Sequence, residues 1–167
     1  MLNFFTIVLV LFALLMGYAV YNSKKNKKMA AVRYDEILST LDYRMAEIAE
    51  SRELHIGESH FCVTDEKEGY LLGIDADKRE FILCGKNTAN VYPFDSLAGC
   101  QVFVTPDEDP KYYQKIGIML EFDRQESVPV VLATKRGKRN GFIGSELLRS
   151  AQEFQLFLIS ETKDSNA

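Results

Sequence analysis

The chain has 167 residues, 47% of them hydrophobic, with 20 Lys and Arg against 24 Asp and Glu and a net charge of −4 at pH 7. A net acidic chain is repelled by phosphate at long range, which excludes general nucleic-acid binding. Its three cysteines, Cys62, Cys84 and Cys100, are an odd number and do not close a disulfide framework.

From Met1 to Tyr21 there is no charged side chain, and only Asn3 and Thr6 are clearly polar. A helix of that length reaches roughly 31 Å, close to the hydrocarbon thickness of a bilayer, and satisfies its own backbone hydrogen bonds. Tyr18 and Tyr21 fall at the end where amphipathic rings favour the headgroup layer. Lys24, Lys25, Lys27 and Lys28 follow, and lysines flanking a span are retained on the cytoplasmic side. The expectation is a single-pass anchor over 1–21 in the inner (cytoplasmic) membrane, with the N-terminus outside, a basic juxtamembrane segment at 22–28 and the C-terminal domain in the cytoplasm. The competing reading is a signal peptide cut near Ala19, because Gly17-Tyr18-Ala19 is a small-x-small stretch. The length of the apolar run, and the lack of Lys or Arg before it, weigh against cleavage. The cysteines lie in "HFCV", "FILCG" and "GCQVFV", where each reads as a small buried hydrophobe in a reducing compartment.

Residues 29–167 carry 16 Lys and Arg against 24 Asp and Glu, a net of −8, so a basic collar precedes an acidic body. The collar either fixes topology or also attracts anionic lipid, at about 1 kcal/mol per lysine. The body is long enough for one domain with its own core.

Residues 29–53 lack Gly and Pro and predict an amphipathic linker helix. Tyr34, Leu38, Leu41, Met45 and Ile48 recur at spacings of 4, 3, 4 and 3. Such a stripe packs on its own domain or forms a short parallel dimer zipper, and hence a weak homodimer. Two heptads are fewer than a coiled coil needs, which favours the first. Beyond residue 58 the period shortens to that of strands: "SHFCVT", the charged turn "DEKEG", the hairpin "YLLGIDADKREFILCG", then "NVYPF" and "GCQVFVT". "PDEDPKYY" reads as a polar loop. "KIGIMLEFD" alternates, with Ile116, Ile118, Leu120 and Phe122 on one side, and "VPVVLAT" follows the turn "DRQES". Pro93 and Pro129 mark edges or strand starts. After the loop "KRGKRNG", residues Leu147, Leu148, Ala151, Phe154, Phe157 and Leu158 predict a helix over 145–160, capped by Ser145. The tail 161–167 is polar.

The predicted class is α+β: an N-terminal transmembrane helix, a linker helix, and a β domain over 54–160 with seven antiparallel strands and one C-terminal helix. That order resembles the pleckstrin-homology-like barrel or sandwich. "YLLGIDADKREFILC" followed by "VYPFDSLAGCQVF" is similar to uncharacterised bacterial single-span membrane proteins with such a β domain. The resemblance implies no catalytic residue. In lipid-binding members the basic residues cluster on the first hairpin loop, whereas "DEKEG" is acidic on balance.

No motif for catalysis emerges. His60 and Cys62 alternate along a strand and share a face, but a structural zinc needs four ligands, usually in close pairs, and no second pair follows. "GKRNG" lacks the spacing of a phosphate loop. Asp75 and Asp77 suit a hairpin tip, and Asp107, Glu108 and Asp109 lack the spacing of a calcium loop. No metal and no cofactor are expected. The unusual charge feature is "KRGKR": Lys135, Arg136, Lys138 and Arg139 either face water or meet anionic lipid or an acidic partner. The expected function is therefore a non-catalytic, membrane-tethered binding or adaptor module for a cytoplasmic protein. The alternatives are an anionic-lipid-headgroup sensor at the inner membrane surface and an accessory subunit of a membrane complex.

Overall fold

The computed structural model describes the backbone of residues 4–164, with side chains from residue 15 to residue 160 except 20, 27 and 30. The chain divides into two compact units, Met1–Ile37 and Leu38–Ala167.

Helix α1 runs unbroken from Phe4 to Arg52. The sequence predicts two helices with a basic segment between them. No Gly or Pro lies between Tyr21 and Met29, and the lysines there are good helix formers, so the helix propagates through. Within the first unit Leu15, Met16, Tyr18, Tyr21, Met29, Val32 and Tyr34 are exposed. Among the described residues no helix is long and apolar enough to cross a membrane. That finding overturns the expected anchor, and the inner-membrane, single-pass placement built on it falls as well. The described apolar side chains there, Leu15–Ala19 and Tyr21, cover roughly 10 Å of helix, a third of a hydrocarbon core, before the lysines begin. The rest of the expected span, residues 1–14, lies outside the residues whose side chains are described.

The second unit holds two antiparallel sheets. The first contains β1 (Glu58–Val63), β2 (Gly69–Asp75), β3 (Glu80–Cys84) and β4 (Ala89–Pro93) in sequential order. The second contains β5 (Leu97–Pro106), β6 (Tyr112–Phe122) and β7 (Val128–Ala133), with the two-residue β8 (Gly137–Lys138) also paired to β6. Helix α2 (Phe142–Asp164) follows. Among the described residues the fold is thus α+β with two helices and eight strands in two four-stranded sheets, not the seven-stranded pleckstrin-homology-like barrel with separate anchor and linker helices. The additional strand, β8, falls in "KRGKRNG", which is too short and too polar to carry a period.

The central strands of the first sheet, β2 and β3, are buried on both faces. On one face Cys62, Leu72, Ile74, Phe81, Leu83 and Tyr92 enter a core shared with Ile116, Ile118, Leu120, Phe122, Val130 and Leu132 of the second sheet. Leu147, Ala151, Phe154 and Leu158 of α2 complete that core. The alternate residues, Leu71, Ile82 and Cys84, are equally buried but lie outside it. They face the other way, toward the last turns of α1, where Leu41 (3% exposed) and Met45 (5%) are buried. The missing side chain of Gly73 leaves room for the Met45 thioether there. Burial on both faces explains why "YLLGI" is a continuous apolar run rather than an alternating one. Polar contacts fix the helix in place. Arg44 Nη1 donates to the carbonyls of Gly85 (2.6 Å) and Lys86 (2.5 Å). Lys78 Nζ donates to the Arg52 carbonyl at 3.0 Å, placing positive charge at the helix C-terminus.

Helix α2 starts at Phe142, three residues before the predicted start. Ser145 does not cap it: its backbone N–H donates to the Gly141 carbonyl at 2.9 Å, so it already lies within the first turn.

Truncating Met45 empties space between a helix and a closed sheet. Met45→Ala is expected to lower the unfolding free energy in urea by about 2–5 kcal/mol. Tyr43→Ala, on the exposed face of the same helix, is expected to stay within about 0.5 kcal/mol of the parent.

Candidate functional site

The sequence points to four cations, Lys135, Arg136, Lys138 and Arg139, and the structure divides them. The acidic turn between β1 and β2 holds the start of the loop. Asp65 Oδ2 accepts from the backbone N–H of Thr134 (3.0 Å) and of Lys135 (2.8 Å), while the Asp65 N–H donates to the Leu132 carbonyl (2.8 Å). Lys135 Nζ lies 3.9 Å from the Glu66 carboxylate. Arg136 forks onto Asp107, with Nε to Oδ2 at 2.9 Å and Nη2 to Oδ1 at 3.1 Å, and its guanidinium lies 4.0 Å above the Tyr112 ring. The hydrogen-bonded guanidinium holds the Asp107 carboxyl below the usual range, and the carboxylate in turn raises Arg136. Both residues are committed to the protein itself.

Lys138 and Arg139 lie differently. Strand β8 pairs Tyr112 with Lys138 and Tyr113 with Gly137. The register continues one step further, because the Arg139 N–H donates to the Lys111 carbonyl at 2.9 Å. Lys111 and Arg139 therefore stand opposite each other across the strand pair. Like charges in that position repel. Among the described residues Lys111, Lys138 and Arg139 make no ion pair. They line a cleft of about 710 Å³ with Asp109, Pro110, Tyr112 and Asn140. The one carboxylate in the cleft, Asp109, accepts the Lys111 backbone N–H through Oδ1 at 3.0 Å.

The cleft is a built feature rather than a loose loop. Tyr113 is buried beneath β8 and the start of α2, and a β-carbon on Gly137 or Gly144 would collide with its ring. A β-carbon on Gly144 would also meet the Lys138 carbonyl. Only glycine permits this approach of backbone to ring. The Gly141 N–H closes the turn onto the Lys138 carbonyl at 3.1 Å. Sequence reasoning missed Lys111. Nothing in "PDEDPKYY" distinguishes it, and only the pairing of β6 with β8 brings it to Arg139.

The other expected residues are placed as follows. Lys24, Lys25 and Lys28 are exposed on α1, and the side chain of Lys27 lies outside the described residues. Of the helical stripe, Leu41 and Met45 face the chain's own sheet, Leu38 and Ile48 are half-buried, and Tyr34 is exposed in the first unit. Asp75 lies at the end of β2, at the hairpin tip. It is 1% exposed and accepts from the N–H groups of His55 (2.7 Å) and Lys78 (2.9 Å). Burial alone would raise its pKa, but the backbone donors of Lys78, His55 and Asp77 hold it below the usual carboxylate value.

His60 stacks on Phe157 at 5.4 Å and meets the edge of Phe154 at 6.0 Å, with Nε2 buried and unbonded. Burial lowers its pKa, and the nearby Glu153 carboxylate only partly offsets this. Cys62 shares that face of β1, and burial pushes its thiol up to about 12, with Cys84 and Cys100 at about 11. Such thiols are not thiolates at neutral pH and make poor nucleophiles or metal ligands. Among the described residues no three His, Cys, Asp or Glu converge as a metal-binding group.

No protein-family model, no curated protein and no solved structure matches the chain.

The folded chain resists protonating His60, so as pH falls the unfolded chain takes up that proton first. Stability is full above the ordinary histidine pKa of 6.5 and declines as pH drops below it. The Asp75 contribution persists to lower pH and is lost only below the ordinary carboxyl value of 3.8. Urea midpoints measured from pH 7.5 to 5 are expected to fall for the parent and to flatten for His60→Phe.

Proposed function

We propose that the chain is a non-catalytic binding module that accepts an anionic group of a partner protein in the cleft between the start of β6 and the β8–α2 turn. The observation that carries this reading is the Lys111–Arg139 juxtaposition. The backbone sets two cations opposite each other, a third lines the same cleft, and among the described residues no acid is paired with any of the three. An anion seated among the three relieves that repulsion and gains charge-assisted hydrogen bonds. Tyr112 is part of the cleft lining, whereas Arg136 and Asp107 pair with each other outside it. The buried thiols, and an imidazole packed on the Phe154 and Phe157 rings, support a role without catalysis.

Fluorescence anisotropy of a labelled hexaglutamate peptide with the full-length chain tests the reading. Binding is expected to weaken as salt rises, and Lys138→Glu with Arg139→Glu is expected to lower affinity at least tenfold. Lys24→Glu with Lys25→Glu, elsewhere on the chain, should leave it unchanged. Equal affinity for the parent and the Lys138/Arg139 double variant removes the proposal.

A further inference from the structure

We infer that the partner is a protein segment in which acidic residues adjoin a large apolar side chain, held jointly by the cations of the cleft and by Phe142 and Ile143. This inference rests on the binding reading above and names the partner's chemistry. Phe142 is 82% exposed and Ile143 63% exposed, and they begin α2 two and three residues beyond Asn140 of the cleft. Single exposed hydrophobic residues are ordinary. Two consecutive ones beside three unpaired cations form a mixed surface.

Ile143 is the more telling of the two. The core face of α2 is marked by Leu147, Ala151, Phe154 and Leu158, and Ile143 continues it one turn back at the same helical spacing. By pattern it belongs in the core. It is nevertheless exposed, although the next residue, Gly144, sits on Tyr113 and the Lys138 carbonyl. A core-type residue is thus left uncovered three residues from Asn140 of the cleft. An apolar side chain that follows an acidic stretch would cover it.

Charge decides between occupants. A second copy docking through a two-fold axis would set this cationic rim against itself, adding repulsion to a site already short of anions. A flat anionic surface would have to approach a body whose net charge beyond residue 28 is −8, and would meet Glu146 and Glu153, which lie with Arg149 on the partly exposed face of α2. A narrow extended segment sets its acidic residues on the cations of the cleft and brings only its apolar side chain to the first turn of α2, beside Glu146.

The test uses the full-length chain and two labelled peptides, triglutamate followed by Phe-Leu and triglutamate followed by Ser-Ser. The parent is expected to bind the first at least tenfold more tightly. The Phe142→Ser/Ile143→Ser variant, its fold checked by circular dichroism, is expected to lose that preference while binding the Ser-Ser peptide as the parent does. Acidic binding with no preference between the peptides overturns the inference and leaves the binding reading standing. No binding of either peptide overturns both. Two further outcomes overturn it in favour of another occupant. One is flotation with phosphatidylglycerol vesicles that depends on Phe142 and Ile143 while the peptides are not distinguished. The other is a dimer in analytical ultracentrifugation that these substitutions dissolve.

Discussion

The pairing of two residues of β8 with the start of β6 governs the candidate site. It is a short piece of sheet, held down by the buried ring of Tyr113 and made possible by Gly137 within it and Gly144 beyond it. It orients every cation in the neighbourhood. Arg136, one residue before β8, is turned onto Tyr112 and Asp107. Lys138 and Arg139, within and just after it, line the cleft. Arg139 is brought opposite Lys111, twenty-eight positions earlier in the sequence, by the register of the strand pair. Fold and site are therefore one question here: without that pairing, "KRGKR" would be a solvated turn with no geometry.

The supports of this arrangement come from separate parts of the β domain. Asp65, in the turn between the first two strands, accepts the backbone of Thr134 and Lys135 and fixes the entry to the loop. The N-terminus of α2 fixes the exit. Helix α2 is seated in turn by Ala151, Phe154 and Leu158 in the core and by Gln155, whose Nε2 donates to the Cys100 carbonyl at 2.6 Å. The last turns of α1 cover the far face of the first sheet. The central strands β2 and β3 are consequently buried on both faces. The cleft lies at the rim, where loops and a helix start meet, as binding residues on rigid scaffolds commonly do.

Local pattern made part of this legible. The alternation of Ile116, Ile118, Leu120 and Phe122 and the stripe from Leu147 to Leu158 are short-range signals, and the elements lie close to where they predict. The run "YLLGI" announced burial but not that two different layers would bury it. Nothing local told Leu41 and Met45 whether to meet a second helix or their own sheet, because an a/d stripe serves either. The apolar N-terminal run predicted an anchor that no helix among the described residues supports. The site was the least legible part. The sequence singled out a dense run of charge, whereas the structure assigns half of that run to internal ion pairs. It recruits Lys111 from a segment with no motif at all. Contacts set by strand register between distant segments leave no periodic trace, so they are read only from the folded chain.

The central claim is that the backbone holds Lys111 and Arg139 against their mutual repulsion for the benefit of an anion. Neutralising one of them should therefore relieve the unliganded protein while disabling it. Thermal unfolding of Arg139→Gln and of the parent, at low salt with and without hexaglutamate, measures this directly. The account predicts a higher midpoint for Arg139→Gln without peptide and a peptide-induced rise confined to the parent. A variant no more stable than the parent without peptide, or one that gains as much from it, would contradict the account.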